Sequence, residues 1–269
     1  MKLAPILIAG LALVLAACGS DIYGASKGDE YTASLKQADE ARKSGDFDSA
    51  VPLYGRALQA KPDGIEAKLG LAQSYLTLGL PDEAAALFRD VLDKKQSDQA
   101  ARRGLAMSMI AMGQGALAER QLEAAVQADP RDYRTLNAYG VVLDMTGRHA
   151  EAQARYRQAI ELAPEFVAVR NNYGLSLAIS GQPQEAIAQL TPLAASRGAD
   201  GRIRQNLAFA YAMNGDLENA LKVSRQDLDE VSAQRQLQYF MQLKALPVEA
   251  RSAELRRNPN FFPQSAASG

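Results

Sequence analysis

Three amide side chains, Asn137, Asn171 and Gln205, follow one another at intervals of 34 residues, and Asn172 and Asn206 come directly after two of them. An amide side chain both donates and accepts hydrogen bonds, so a row of amides can pair with the backbone of an extended peptide. Asparagine is also a poor residue for a helix interior, because its side chain competes with the backbone for hydrogen bonds. The spacing therefore predicts a row of polar groups that binds a protein segment.

Three arginines accompany this row. Arg103 lies 34 residues before Asn137, and Arg134 and Arg202 each lie three residues before an amide of the row. The complete candidate site is Arg103, Arg134, Asn137, Asn171, Asn172, Arg202, Gln205 and Asn206. An apolar residue lies four positions after Arg103 and after each amide of the row, and we expect these residues to contact partner side chains. They are Met107, Val141, Leu175 and Phe209.

The alternative is that these polar residues are simply solvated. If they form a binding site, we expect the joint change Asn137→Ala and Asn171→Ala to abolish partner binding while helicity and melting stay unchanged.

Composition excludes several other kinds of site. One cysteine, Cys18, and one histidine, His149, allow no internal disulfide, no cysteine-based zinc site and no cluster of histidines. The 30 basic and 31 acidic residues offer no cationic surplus for general nucleic-acid binding. No glycine-rich phosphate loop or nucleophile elbow is present. We therefore expect no enzyme activity and no cofactor, apart from a covalent lipid on Cys18.

The N-terminus resembles a bacterial lipoprotein signal. Lys2 precedes an apolar run over residues 3–17, which is shorter than the roughly 20 residues needed to span a bilayer. Residues 1–17 are therefore predicted to be a secretory signal peptide. Its end, Leu15-Ala16-Ala17-Cys18, resembles a lipobox, which implies cleavage before Cys18 and acylation of that cysteine. The alternative is an ordinary signal peptide with a chance cysteine.

Two or more acyl chains would anchor the mature protein stably to a membrane. By resemblance to Gram-negative lipoproteins, Gly19 in place of an aspartate favours the periplasmic face of the outer membrane. Residues 18–30 are expected to form the lipidated cysteine and a flexible polar tether.

Six glycines recur at a constant step of 34 residues. A small residue stands seven positions before each glycine, and an alanine stands five positions after it. The pattern predicts two helices that pack closely and are joined at a glycine with left-handed backbone. Pro81 and Pro183 fall in the first turn of the second helix. His149 takes the same place in its repeat, so we expect it to be exposed and without a functional role.

This 34-residue unit resembles the tetratricopeptide repeat (TPR). The resemblance implies an all-α, right-handed superhelix of about six helix–turn–helix repeats, over residues 31–246 with a C-terminal capping helix at about 233–246. In such proteins the first helix of each repeat lines a concave groove, where asparagines bind peptide backbone. Residues 247–269 have a weak pattern and are expected to form a largely weakly ordered tail. The repeats leave no segment for a catalytic domain.

Residues between the repeat positions carry a finer resemblance. The runs at 171–187 (NNYGLSLAISGQPQEAI), 202–220 (RIRQNLAFAYAMNGDLENA), 224–229 (SRQDLD) and 237–243 (LQYFMQL) are similar to those of the TadD family. These are the TPR lipoproteins of the tight-adherence (Tad, or Flp) pilus apparatus. The resemblance implies a pilotin-like assembly factor whose partner is a secretin or another Tad component.

The alternative is another outer-membrane TPR lipoprotein. Candidates are a type IV pilus secretin pilotin, a β-barrel assembly component or an adaptor for peptidoglycan enzymes.

Overall fold

A computed structural model describes residues 26–197 and 199–257 of the chain. This part consists of fourteen helices and no strands. The helices are α1 (Lys27–Lys43), α2 (Phe47–Ala60), α3 (Ile65–Thr77), α4 (Pro81–Lys94), α5 (Gln99–Ala111), α6 (Gly115–Ala128), α7 (Tyr133–Met145), α8 (His149–Leu162), α9 (Val167–Ile179), α10 (Pro183–Ala194), α11 (Gly201–Asn214), α12 (Leu217–Ser224), α13 (Glu230–Ala245) and α14 (Val248–Arg257). The predicted all-α fold is confirmed.

The first twelve helices form six pairs, and a glycine with positive φ joins the helices of each pair. These glycines are Gly45, Gly79, Gly113, Gly147, Gly181 and Gly215, with φ between 75° and 89°. The left-handed conformation is accessible to glycine because glycine has no Cβ. The constant step in the sequence is therefore the repeat length of a solenoid.

The solenoid is curved, with the first helix of each pair on its inner side. First helices of neighbouring repeats contact each other, as α7 contacts α9, whereas second helices of neighbouring repeats do not. Every second helix packs between the first helix of its own repeat and that of the next. The odd-numbered helices α1 to α11 therefore line a concave face, as the repeat resemblance implies.

Small residues allow the helices to approach closely. A Cβ added to Gly140 would lie 2.5 Å from the ring of Tyr156, and one added to Gly70 would lie 2.3 Å from the ring of Tyr54. Both tyrosine side chains are fully buried between helices. The small positions and the large apolar positions of the repeat thus fit together as the sequence predicts.

Aspartates cap six of the helices. The side chains of Asp46, Asp98, Asp132, Asp200, Asp216 and Asp229 each accept a hydrogen bond from a backbone N–H in the first turn. We call Asp46, Asp216 and Asp229 the titrating caps. Hydrogen bonds from Ser49, Asn219 and Ser232, respectively, hold the pKa of each titrating cap below its ordinary value.

Helix α13 covers the C-terminal end of the repeats. It packs on α11 and α12, and the ring of Phe240 meets that of Phe209 edge-on at a centroid distance of 5.3 Å. The predicted capping helix is therefore confirmed, and Met241 on its outer side is 47% exposed. The preceding α12 has only 8 residues, which makes it the shortest of the twelve repeat helices.

Both ends of the solenoid extend further than expected. At the N-terminus, α1 already begins at Lys27 with Ser26 as its cap, within the segment expected to be a flexible tether. At the C-terminus, the expectation of a weakly ordered tail after Pro247 is wrong for α14, which folds back to contact α7, α9 and α13. Of the side chains of this helix that the structure describes, only Ser252 and Leu255 are deeply buried, so its sequence carries little periodic signal.

The remaining sequence predictions at the two ends lie outside the described residues. The signal peptide, Cys18 and most of the tether precede residue 26, and the rest of the tail follows residue 257. Among the described residues, no helix is both long and apolar enough to cross a membrane.

Candidate functional site

The amides of the candidate site form a ladder between neighbouring repeats. The Nδ2 group of Asn172 on α9 donates to Oδ1 of Asn137 on α7 at 2.9 Å. One repeat further, Nδ2 of Asn206 on α11 donates to Oδ1 of Asn171 on α9 at 3.0 Å. We call these four residues the amide ladder. Their repeated spacing therefore produces a repeated contact, in which each bond ties one first helix to the next.

The members of the amide ladder differ in exposure. Asn137, Asn172 and Asn206 are only 4%, 5% and 6% exposed, whereas Asn171 is half-buried. Gln205, which follows the row on α11, is also half-buried. Three members of the amide ladder are thus buried between the helices. Asn171, together with Gln205 beside the ladder, forms the accessible side.

Arg103 lies at the start of the row, but its guanidinium group already has partners within the protein. Its Nη1 atom donates to Oδ2 of Asp132 at 2.8 Å, and it lies 3.4 Å from Oγ1 of Thr135. Burial lowers the pKa of Arg103, and the charge of Asp132 opposes that shift. Arg103 is 8% exposed, so it joins the third repeat to the fourth and presents little surface to a partner.

The two remaining arginines of the site are accessible. The guanidinium group of Arg134 lies 4.6 Å from the ring centroid of Tyr133 and 5.6 Å from that of Phe166, in cation–π contact with both. Arg202 is exposed, and its guanidinium group donates to Asp200 from Nε at 3.0 Å and from Nη2 at 2.9 Å. Together with Asn171 and Gln205, these arginines form the accessible polar part of the candidate site.

The apolar residues expected to contact a partner are packed inside the solenoid. Their exposed fractions are 4% for Met107, 2% for Val141, 3% for Leu175 and 0% for Phe209. The expectation that they face a bound segment is therefore wrong, because all four belong to the buried hydrophobic core, where Phe209 packs against Phe240 of α13.

A second polar cluster, which the sequence did not reveal, surrounds His149. Its Nδ1 atom lies 2.7 Å from Oδ1 of Asp144, and its Nε2 atom lies 2.8 Å from Oγ of Ser252 on α14. Ser176 and Tyr156 donate to the same Asp144 carboxylate at 2.7 and 2.9 Å. His149 is 7% exposed, so the expectation of an exposed histidine is wrong: α14 folds over it.

Burial dominates the electrostatics of this cluster. It raises the pKa of the Asp144 carboxyl, against the lowering effect of hydrogen bonds from His149 and Ser176. Burial also raises the pKa of the Tyr156 hydroxyl well above its ordinary value, and the nearby Asp144 adds to that shift. Five polar side chains thus satisfy one another in an interior where an unpaired polar group would be costly.

Serine, histidine and aspartate in this order have the connectivity of a hydrolytic triad. Ser252, however, is 1% exposed and packed beneath its own helix, so no substrate can reach its Oγ while the contact exists. If α14 moved away, Ser252 would move with it, and the hydrogen bond between Ser252 and His149 would be lost. The cluster therefore holds the C-terminal helix in place.

No feature of the local sequence identifies this cluster, because Asp144 and Ser252 are 108 positions apart and join only when α14 folds back. Within the described residues, no group of three or more His, Cys, Asp or Glu side chains could hold a metal ion.

Comparison with known proteins agrees with the repeat architecture. Tetratricopeptide-repeat family models match residues 41–106, 78–139, 133–158 and 146–191, which together span more than half of the 269 residues. A search of curated proteins finds no match.

Solved structures with the same fold share little sequence with this chain. A tetratricopeptide-repeat protein from Parabacteroides merdae has 15% identity and a TM-score of 0.64, over 78% of this chain and 84% of that one. PilF of Pseudomonas aeruginosa has 16% identity and a TM-score of 0.57, over 80% and 98% of the two chains. The APC/C hetero-tetramer Cut9–Hcn1 has 17% identity and a TM-score of 0.64, over 79% and 43%. The chain therefore belongs to the tetratricopeptide-repeat family, and its solenoid is a scaffold for binding other proteins.

Proposed function

We propose that this protein is a lipid-anchored, pilotin-like adaptor of a Tad (Flp) pilus apparatus, on the periplasmic face of the outer membrane. It binds a segment of a secretin or of another periplasmic Tad component in its concave groove. The observation that carries the anchoring is the single cysteine of the chain, Cys18, directly after Leu15-Ala16-Ala17. The link to the pilus apparatus rests on the TadD-like residues between the repeat positions.

The accessible polar part of the concave face supports groove binding. Asn171 and Gln205 present amides that can donate to and accept from a peptide backbone, and the guanidinium groups of Arg134 and Arg202 remain accessible although Arg202 already pairs with Asp200. A guanidinium group pairs well with carboxylates, so the fitting segment is extended and carries acidic side chains. The buried amides behind this surface hold the helices in register.

Deletion and lipid labelling test the anchoring and the pathway. We expect deletion of the gene to abolish Flp pili without a general outer-membrane defect, and wild-type protein to restore them. The Cys18→Ser protein should take up no palmitate label and should fail to restore the pili. Intact pili in the deletion strain would exclude the Tad role and favour another outer-membrane lipoprotein function.

A matched pair of double variants tests the groove. The test variant is Arg202→Ala with Gln205→Ala, on the accessible side of α11. The control is Arg157→Ala with Gln158→Ala, which removes the same residue types from the exposed face of α8. Pull-down of periplasmic Tad components should fail with the test variant and succeed with the control. Equal capture by both would place the binding site elsewhere.

A further inference from the structure

The C-terminal helix α14 lies across the ends of two first helices of the concave face. It contacts α7 and α9 directly, and Ser252 bonds to His149, which follows the end of α7. The Nη1 atom of Arg251 donates to the backbone oxygen of Ile179, the last residue of α9, at 3.2 Å. The helix therefore covers the C-terminal ends of α7 and α9 from inside the same chain.

The residue at the end of each first helix changes character where α14 lies. In the first three repeats this position holds Lys43, Thr77 and Ala111, all at least partly exposed. In the last three repeats it holds Met145, Ile179 and Met213, the last of which lies one residue before the end of α11. Ile179 is 0% exposed and belongs to one hydrophobic cluster with Phe240 of α13 and Leu255 of α14. The apolar change occurs only in the half of the solenoid that α14 and α13 reach, so this surface is suited to a helical cover.

The attachment of α14 is limited. Only two residues separate it from α13, and it has 10 residues, too few for a helix that is stable on its own in water. Among its described side chains, Ser252 and Leu255 are deeply buried, while Glu249 and Arg257 are exposed. A terminal segment with few deeply buried side chains opens at lower free-energy cost than the packed repeats, so α14 can leave while the repeats remain folded.

We propose that α14 is a displaceable occupant of a helix-docking strip formed by Met145, Ile179 and His149. The partner that replaces it is an amphipathic helix with a leucine, and with a serine or threonine three positions earlier. These two residues share one face of a helix, as Ser252 and Leu255 do. The inference rests on the proposed function, since Met145 and Ile179 lie on α7 and α9, the helices that carry Asn137 and Asn171, about 12 Å further along each helix.

The polar and apolar groups of the strip explain why a helix fits. The Nε2 atom of His149 needs a hydrogen-bonding side chain above it, which the serine hydroxyl supplies at 2.8 Å. Ile179 needs an apolar cover, because exposed contiguous apolar surface marks an interaction site. Because α14 is tethered, it competes at high effective concentration, and a partner in solution must bind more tightly than α14 does.

A fluorescent peptide of residues 246–257 tests the strip in the full-length mature protein. Leu255→Asp is expected to release α14 in cis and thereby to open the strip. The matched control is Met241→Asp, which introduces the same charge at an exposed apolar residue of α13. We expect the peptide to bind the Leu255→Asp protein at least tenfold more tightly than it binds wild type or the control. A peptide that carries Leu255→Asp itself should not bind.

Hydrogen exchange provides the second measurement. Amides of α14 should exchange at least tenfold faster in Leu255→Asp than in wild type, with α9 unchanged. If α14 is released and the peptide still binds no better than to wild type, the docking strip is excluded. Ser252→Asp serves as a second releasing variant if Leu255→Asp does not fold. Peptide binding involves neither membrane nor pilus components. A negative peptide result therefore does not change the conclusion of the groove pull-down, and a negative pull-down does not change the conclusion about the docking strip.

Discussion

Replacing Asn137 by alanine should destabilise the solenoid, contrary to what the sequence alone suggests. The change removes the acceptor of the 2.9 Å bond from Asn172, and both residues are at least 95% buried. A buried donor left without a partner costs about 1–3 kcal/mol. We therefore expect Asn137→Ala to lower the free energy of unfolding by about 2 kcal/mol. The expectation that the joint change Asn137→Ala and Asn171→Ala leaves melting unchanged is therefore not compatible with the bond from Asn172 to Asn137.

A double-mutant cycle separates this bond from the general effect of truncation. If the amides act on each other, Asn172→Ala should cost less in the Asn137→Ala background than in wild type, with a coupling of about 1 kcal/mol. Urea unfolding followed by circular dichroism gives the four free energies. The pair Asn171 and Asn206 provides a comparison, and because Asn171 is half-buried its coupling should be smaller. Additive costs for Asn137 and Asn172, within about 0.3 kcal/mol, would refute the ladder as a stabilising contact.

Three further predictions concern the turns, the caps and the buried cluster. Gly140→Ala should lower the free energy of unfolding by about 2–3 kcal/mol, because the new Cβ would meet the Tyr156 ring. Gly181→Ala should lower it by only about 1 kcal/mol, the cost of a left-handed backbone for alanine, and urea unfolding compares the two. The lowered pKa values of the titrating caps stabilise the fold above about pH 3.9, and this contribution is lost as the pH falls through their folded-state values. The urea midpoint should therefore fall between pH 5 and pH 2, and it should fall by less in a variant in which the three caps are asparagine. A fall as large as that of wild type would show that the three caps do not contribute to the pH dependence. His149→Leu should lower the free energy of unfolding by about 3 kcal/mol and speed hydrogen exchange in α14, because it removes a partner of the buried Asp144 carboxyl and of Ser252. If the variant has the stability and the exchange rates of wild type, the cluster does not hold α14.

The repeat architecture could be predicted because its causes are local and recur. A glycine with positive φ, a small residue at a close approach and a proline at a helix start each follow from backbone geometry within one repeat. Six copies at a fixed spacing make these requirements visible in the sequence, and the structure has the glycine turn at each of the six positions. The same register correctly placed the amides of the row on neighbouring first helices, where two pairs bond.

The errors lie where distant segments meet. His149 has the same repeat position as Pro81 and Pro183, and nothing nearby distinguishes its exposure from theirs. Its burial depends on Ser252, which is 103 positions away on a helix that interrupts the repeat pattern. Likewise, burial of Val141 and Leu175 depends on the curvature of the whole solenoid and on what packs across it. Sequence periodicity describes the repeating unit and carries no information about a segment that folds back once.

Burial also divides the candidate site into two roles. Asn137 and Asn172 bond to each other in the interior, so their substitution acts first on stability and only indirectly on binding. Asn171 accepts from Asn206 through Oδ1, and that bond does not use the donor capacity of its own amide group. Asn171 and Gln205 are therefore the amides that can pair with a bound segment, while the buried amides hold the helices that carry them. Loss of binding in Asn137→Ala would accordingly follow its loss of stability, whereas loss of binding in Gln205→Ala should occur in a protein that melts like wild type.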